Sequence, residues 1–249
     1  MNRLDRRSAD QVRPVRFTPG FLPFAEGSVL IELGKTRVVC AASVDPNPPP
    51  FLRGQGVGWV TAEYRMLPRA TSTRTAREGS GRIDGRSVEI QRLIGRSLRA
   101  AVDRSRLGER TLVVDCDVLT ADGGTRTAAI TGGFVALVLA CRRLSQEGSI
   151  EGRPIRRQVA AISAGIVEGA PLLDLAYAED SIADVDCNAV LTDRGETVEL
   201  QLSAERGLPG PEAVEEVRRL CERGVRQMLA AQQAALEAAA PGALSDLLI

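Results

Sequence analysis

Two arginines and two aspartates carry the chemistry that this sequence is equipped for. Arg86 stands just before a stripe of Ile90, Leu93, Ile94, Leu98, Ala101 and Val102, whose three-and-four spacing predicts a helix over 87–103. Arg126 follows Asp122-Gly123-Gly124-Thr125 and opens a second, nearly all-apolar stretch from Ala128 to Cys141, the pattern of a helix buried on most sides. The first turn of a helix has backbone N–H groups without partners and is the positive end of the macrodipole. Glycines admit an anion close to those donors, and a guanidinium adds two parallel N–H bonds. The pattern therefore reads as a phosphate site built from Arg86, Gly124, Thr125 and Arg126. A plainer reading stays open, in which the glycines only turn the chain and Arg126 is solvated or salt-bridged.

Asp180 and Asp186 form the second pair, with a helical turn expected before them and a strand starting near Asp184. A carboxylate ending a turn and another beginning a strand can converge on one point, and paired carboxylates with substrate phosphate are how Mg²⁺ is usually held. The alternative is that Glu179, Asp180 and Asp184 are surface capping residues.

What the chain lacks narrows the chemistry further. It has no histidine among its 249 residues, which removes Ser-His-Asp and Cys-His catalysis and any imidazole metal site. Aromatics make up 3%, too few for base stacking to be the main means of recognition. Basic and acidic residues balance at 32 each, so a coat of positive charge is excluded while a local basic patch is not. Lys35 is the only lysine; the other cations are arginines. Cys40, Cys116, Cys141, Cys187 and Cys221 are scattered and odd in number, and read as reduced core residues. No apolar signal segment follows Met1, and the Ala128–Cys141 stretch is too short to span a bilayer. A soluble cytoplasmic protein without a membrane partner is expected.

The elements that must position these groups alternate between strands and helices. Strands are predicted at 11–18, 28–33, 37–44 and 57–64, the middle two as a hairpin around Gly34-Lys35-Thr36. In the strand before the Gly-Gly turn, Leu112, Val114, Cys116 and Val118 share one face. Further on, 159–167 pairs with 171–175, and 189–191 with 197–202. Pro209-Gly210-Pro211 precedes a long amphipathic helix. The whole reads as one α/β (α+β) domain over 1–240, compatible with two similar halves, followed by a loosely held tail at 241–249. Between the fourth strand and Arg86 lies a basic stretch without apolar periodicity, containing Arg65, Arg69, Arg74, Arg77 and Arg82. It reads either as a solvated loop or as a cationic strip that tracks an RNA backbone.

Several long words in fixed order resemble the ribonuclease PH family. They are Ala25-Glu26-Gly27-Ser28-Val29-Leu30, the run from Gly54 to Tyr64, Met66-Leu67-Pro68-Arg69, Glu89 to Arg96, Asp115 to Thr127, and Tyr177 to Asn188. The resemblance implies a duplicated β-α fold with mixed sheets packed against helices, forming a hexameric ring built as a trimer of dimers. It implies a phosphorolytic 3′–5′ exoribonuclease that trims tRNA precursors with inorganic phosphate and releases nucleoside diphosphates. The family's phosphate ligands fall on Arg86, Gly124, Thr125 and Arg126, its catalytic and Mg²⁺-binding carboxylates on Asp180 and Asp186, and its RNA-guiding arginines on Arg69, Arg74 and Arg77. The rival within the same fold is a non-catalytic RNA-binding ring subunit of an exosome-like assembly. One segment departs from the family pattern: Leu202 to Gly210 keeps Glu205 but lacks the usual glycine and aromatic.

Overall fold

The computed structural model describes residues 3–77 and 84–249. In chain order the elements are β1 (Val15–Pro19), β2 (Gly27–Leu33), β3 (Thr36–Asp45), β4 (Trp59–Met66), α1 (Gly85–Ala100), β5 (Thr111–Thr120) and α2 (Thr125–Gln146). They continue as β6 (Val159–Val167), β7 (Ala170–Leu173), α3 (Tyr177–Asp180), β8 (Val185–Thr192), β9 (Thr197–Ala204) and α4 (Pro211–Ala239). One sheet has the order β1-β2-β3-β5-β4 and the other β7-β6-β8-β9. The first is mixed, since β4 runs parallel to β5 while the other pairs are antiparallel.

α2 packs on β2 and β3 of the first sheet and on β6 of the second. Its apolar residues enter a core that also holds Val29, Ile31, Val114 and Ala161. At 22 residues it spans roughly 33 Å, longer than the 128–141 stretch and long enough for a bilayer, but most of its side chains between Thr125 and Leu144 are buried in the core. Burial on all sides needs close approach: a Cβ at Gly132 would stand 2.7 Å from Ile31 Cγ2 and 2.9 Å from Cys40 Sγ. α1 covers β4, and α4 lies on the opposite face of the second sheet, over Ile162, Ala164 and Cys187.

Three expectations change. Residues 11–14 do not join β1, because the Arg13 side chain turns inward onto Asp174 and Pro14 cannot donate to a ladder. α1 ends at Ala100, and Val102 instead bridges to Ile155. The tail at 241–249 is docked, not loosely held. Ala243, Leu244 and Leu247 are buried in the α2 core, the Ile155 amide donates to the Leu247 carbonyl at 3.0 Å, and the Ile249 amide donates to the Ile155 carbonyl at 2.8 Å. The apolar side chains of this short tail fill that gap.

Candidate active site

The turn between β5 and α2 is held from below. Gly123 has φ +76°, and a Cβ there would lie 2.4 Å from the Leu175 carbonyl oxygen, so only glycine fits. Thr36 fastens the turn, with its hydroxyl donating to the Gly123 carbonyl at 2.7 Å and accepting from the Asp122 amide at 2.9 Å. Gly124, at φ +67°, is the N-cap of α2 and makes no side-chain cap bond, which leaves the first-turn amides to a ligand or water. Tyr64, fully buried on β4, donates to the Thr125 hydroxyl at 2.8 Å. Thr125 Oγ1 is thereby used as an acceptor and keeps its own O–H for the cavity.

α1 begins at the same place. Asp84 caps it by accepting from the Arg86 and Ser87 amides at 3.4 and 3.3 Å. Arg86 and Arg126 then line one cavity of about 670 Å³ together with Gly124, Thr125, Tyr177, Asp180, Asp186 and Asn188. The basic loop supplies another wall through Thr71, Ser72, Thr75 and Ala76. It is tied to the β5 end by the Ala121 amide, which donates to the Ala70 carbonyl at 2.8 Å. Arg126 Nη1 donates to Gln201 Oε1 at 3.2 Å and lies 3.8 Å from Glu89.

Asp180 closes α3 and Asp186 is the second residue of β8, as the spacing required. Asn188, two residues along the same face, donates to Asp186 Oδ2 at 2.9 Å. Burial, followed by the charge of Asp180, pushes Asp186 up to about 6 against the pull of Arg126. Asp180 is open to solvent on its outer side, yet the protein packed around it raises its pKa despite Arg86, Arg126 and Arg13. Raised carboxylates beside two guanidiniums in a cavity make this the candidate site.

Arg69, Arg74 and Arg77 are exposed and flank the cavity wall without lining it. Arg82 lies outside the described residues. Glu179, which could be read as a surface cap, is buried: both its oxygens accept from Arg3 at 2.7 Å. Nearby, Asp174 accepts from Arg13 Nε at 2.9 Å and Nη2 at 2.7 Å, with Arg7 at 3.3 Å. This buried cluster orients α3 and the Gly123 turn, since Arg13 also bonds the Asp122 carbonyl. Tyr64, Asn188, Gln201 and the Arg3–Glu179 pair were not singled out from sequence. Tyr64, Asn188 and Gln201 lie on strands β4, β8 and β9, whereas Arg3 precedes β1 and Glu179 lies in α3, so no single local pattern marks them.

The geometry brings two arginines and two helix N-termini beside a carboxylate pair, and comparison with known proteins gives the chain a family. A model described as the 3′ exoribonuclease family, domain 1, matches residues 11–142, and its domain 2 matches residues 157–220. The chain belongs to the ribonuclease PH family. A ribonuclease PH of Syntrophomonas wolfei is 54% identical over 95% of this chain and 99% of its own length. One from Solibacter usitatus is 54% identical over 94% and 99%. A chain of the Archaeoglobus fulgidus exosome with RNA bound to the active site superposes with a TM-score of 0.76 at 24% identity, covering 91% of each chain, and so shares the fold.

Proposed function

We propose that this cavity is where an RNA 3′ end meets inorganic phosphate. The chain is a phosphorolytic 3′–5′ exoribonuclease, a nucleotidyltransferase, as its ribonuclease PH relatives imply. The observation that carries the reading is that Arg86 and Arg126, at the starts of two different helices, share one cavity with Asp180 and Asp186.

Inorganic phosphate is held by Arg86, Arg126, the first-turn amides of α2 and the Thr125 hydroxyl. One of its oxygens attacks the phosphorus of the last phosphodiester; the bond to the penultimate 3′ oxygen breaks, and the terminal nucleotide leaves as a diphosphate. The barrier is the approach of two anions, so the arginines act by neutralising and aligning them. Asp180 and Asp186 offer hard oxygen donors facing the same space. Two carboxylates completed by substrate phosphate and water are a usual way of holding Mg²⁺. Mg²⁺ there would supply charge neutralisation at the reacting oxygens. The exposed Arg69, Arg74 and Arg77 would guide the RNA backbone toward the cavity.

The substrates in this reading are tRNA precursors and other RNA 3′ ends. The assembly in this reading is a homohexameric ring, a trimer of dimers; an apolar loop with Phe24 95% and Phe21 42% exposed offers a surface that a subunit interface would cover. A cytoplasmic location fits five buried, unpaired cysteines. A non-catalytic ring subunit would be expected to lose the arginine and aspartate ligands, and all of them are present. The test is incubation of a 3′-extended tRNA with and without phosphate. Diphosphates appearing only with phosphate support the reading; monophosphates in both arms, or no shortening, contradict it.

A further inference from the structure

On the second sheet a polar row crosses three strands. Ser163 of β6 is the register partner of Asn188 on β8, which is the register partner of Gln201 on β9. Directly paired residues share a face. Ile162 and Ala164 point into the α4 cluster, whereas Ala161 lies in the α2 cluster and exchanges hydrogen bonds with Thr131 of α2 at 3.0 and 3.2 Å. Alternation therefore turns Ser163 to the α2 side, where it lines the cavity with Gly124, Arg126 and Asp186.

Two members of the row have assigned partners, since Asn188 donates to Asp186 and Gln201 accepts from Arg126. Ser163 differs. The residue is 4% exposed, and its Oγ is the one buried side-chain polar atom among the described residues without a hydrogen-bond partner. A buried hydroxyl left unpaired destabilises the fold, so on a cavity wall Ser163 offers a donor that a cavity water or a ligand atom takes up. The groups facing the same space from α1 and α2 are guanidiniums, helix-end amides and the Thr125 hydroxyl. These donors suit an oxyanion, and the carboxylates of Asp84, Asp122, Asp180 and Asp186 line other parts of the same cavity.

We propose that the Ser163 hydroxyl donates a hydrogen bond to an oxygen of the phosphorus oxyanion that occupies this cavity, whether free phosphate or the terminal phosphodiester of the RNA. The inference rests on the reading of the cavity given above and adds a donor from the second sheet to those on the two helices. The phosphate is thus gripped from both layers of the fold.

The test compares wild type, Ser163→Ala, Ser163→Thr and Arg126→Ala. Phosphate is varied at saturating RNA and RNA at saturating phosphate, and thermal melts are recorded with inorganic phosphate added in the absence of RNA. Ser163→Ala should melt at or above wild type without phosphate, because it removes an unpaired buried group. It should raise the KM for phosphate roughly tenfold or more, the loss expected for a bond to a charged acceptor, and shrink the phosphate-induced melting shift. Ser163→Thr, which keeps the hydroxyl, should restore much of both. A rise confined to the RNA KM would assign the same donor to the phosphodiester. Constants for both substrates within twofold of wild type, or a change only in the Mg²⁺ concentration required, would overturn the proposal. Arg126→Ala separates the two layers of inference. If it raises the phosphate KM while Ser163→Ala does not, only the Ser163 assignment fails; if neither does, the cavity has been misread.

Discussion

Arg126 stands at the α2 N-terminus between the proposed phosphate site and the second sheet. It is partly exposed, with one hydrogen bond to Gln201 and a loose pairing to Glu89, so its loss should hardly disturb the fold. Arg126→Ala is expected to lower phosphate-dependent turnover by roughly 10²-fold or more, the scale for removing an oxyanion donor, with an unchanged circular dichroism spectrum. Asp186 gives a prediction of the opposite kind. Its carboxyl is raised from 3.8 to about 6, so the folded protein binds that proton more tightly than the unfolded chain. In the metal-free protein this site therefore disfavours folding progressively as pH rises from about 4 through about 6. Asp186→Asn should accordingly melt higher than wild type in chelator at neutral pH and lose that advantage near pH 4, while its Mg²⁺-dependent activity falls. A lower melting temperature at neutral pH would show that Asp186 is a structural residue.

Among elements, α3 is the least self-sufficient. Four residues long, it makes too few backbone bonds to persist alone and is held by Glu179 clamped onto Arg3. Glu179→Ala leaves a guanidinium buried without its partner and should cost on the order of 3–5 kcal/mol in denaturant unfolding. Because Asp180 follows directly, the same variant should raise the Mg²⁺ concentration needed for half-maximal activity. The two effects together distinguish a positioning role from general destabilisation. Elements also mark how much was legible in the sequence. The stripe Ile90-Leu93-Ile94-Leu98, the Gly-Gly turn before Thr125 and the hairpin glycines act locally, so their spacing predicts α1, the start of α2 and the strand pairs. Arg3 and Glu179 lie 176 positions apart, and Tyr64 and Thr125 lie 61 apart. No local period encodes such partners, so they emerge only when the sheets are brought together around α2.

Over the whole molecule, the last nine residues act as a plug, with Leu244 and Leu247 buried beside α2 and two backbone bonds to Ile155. Truncation before Pro241 should destabilise the protein by on the order of 3–5 kcal/mol, read from the denaturant midpoint, since two leucines and a short backbone pairing are lost together. Residues 241–249 include Ala243, Leu244, Leu247, Leu248 and Ile249, but a short terminal segment shows no period, and its burial depends on a gap shaped by elements far away. The two sheets meet at α2, and the α2 N-terminus is where both helix starts and both carboxylates face one space. In the proposed reaction this space holds free phosphate as the attacking reactant. Phosphate carrying heavy oxygen, supplied with RNA and followed by mass spectrometry, tests it most directly. The prediction is that label enters the β-phosphoryl group of the released nucleoside diphosphates, and that Arg126→Ala abolishes this. Unlabelled monophosphates taking their new oxygen from water would contradict it.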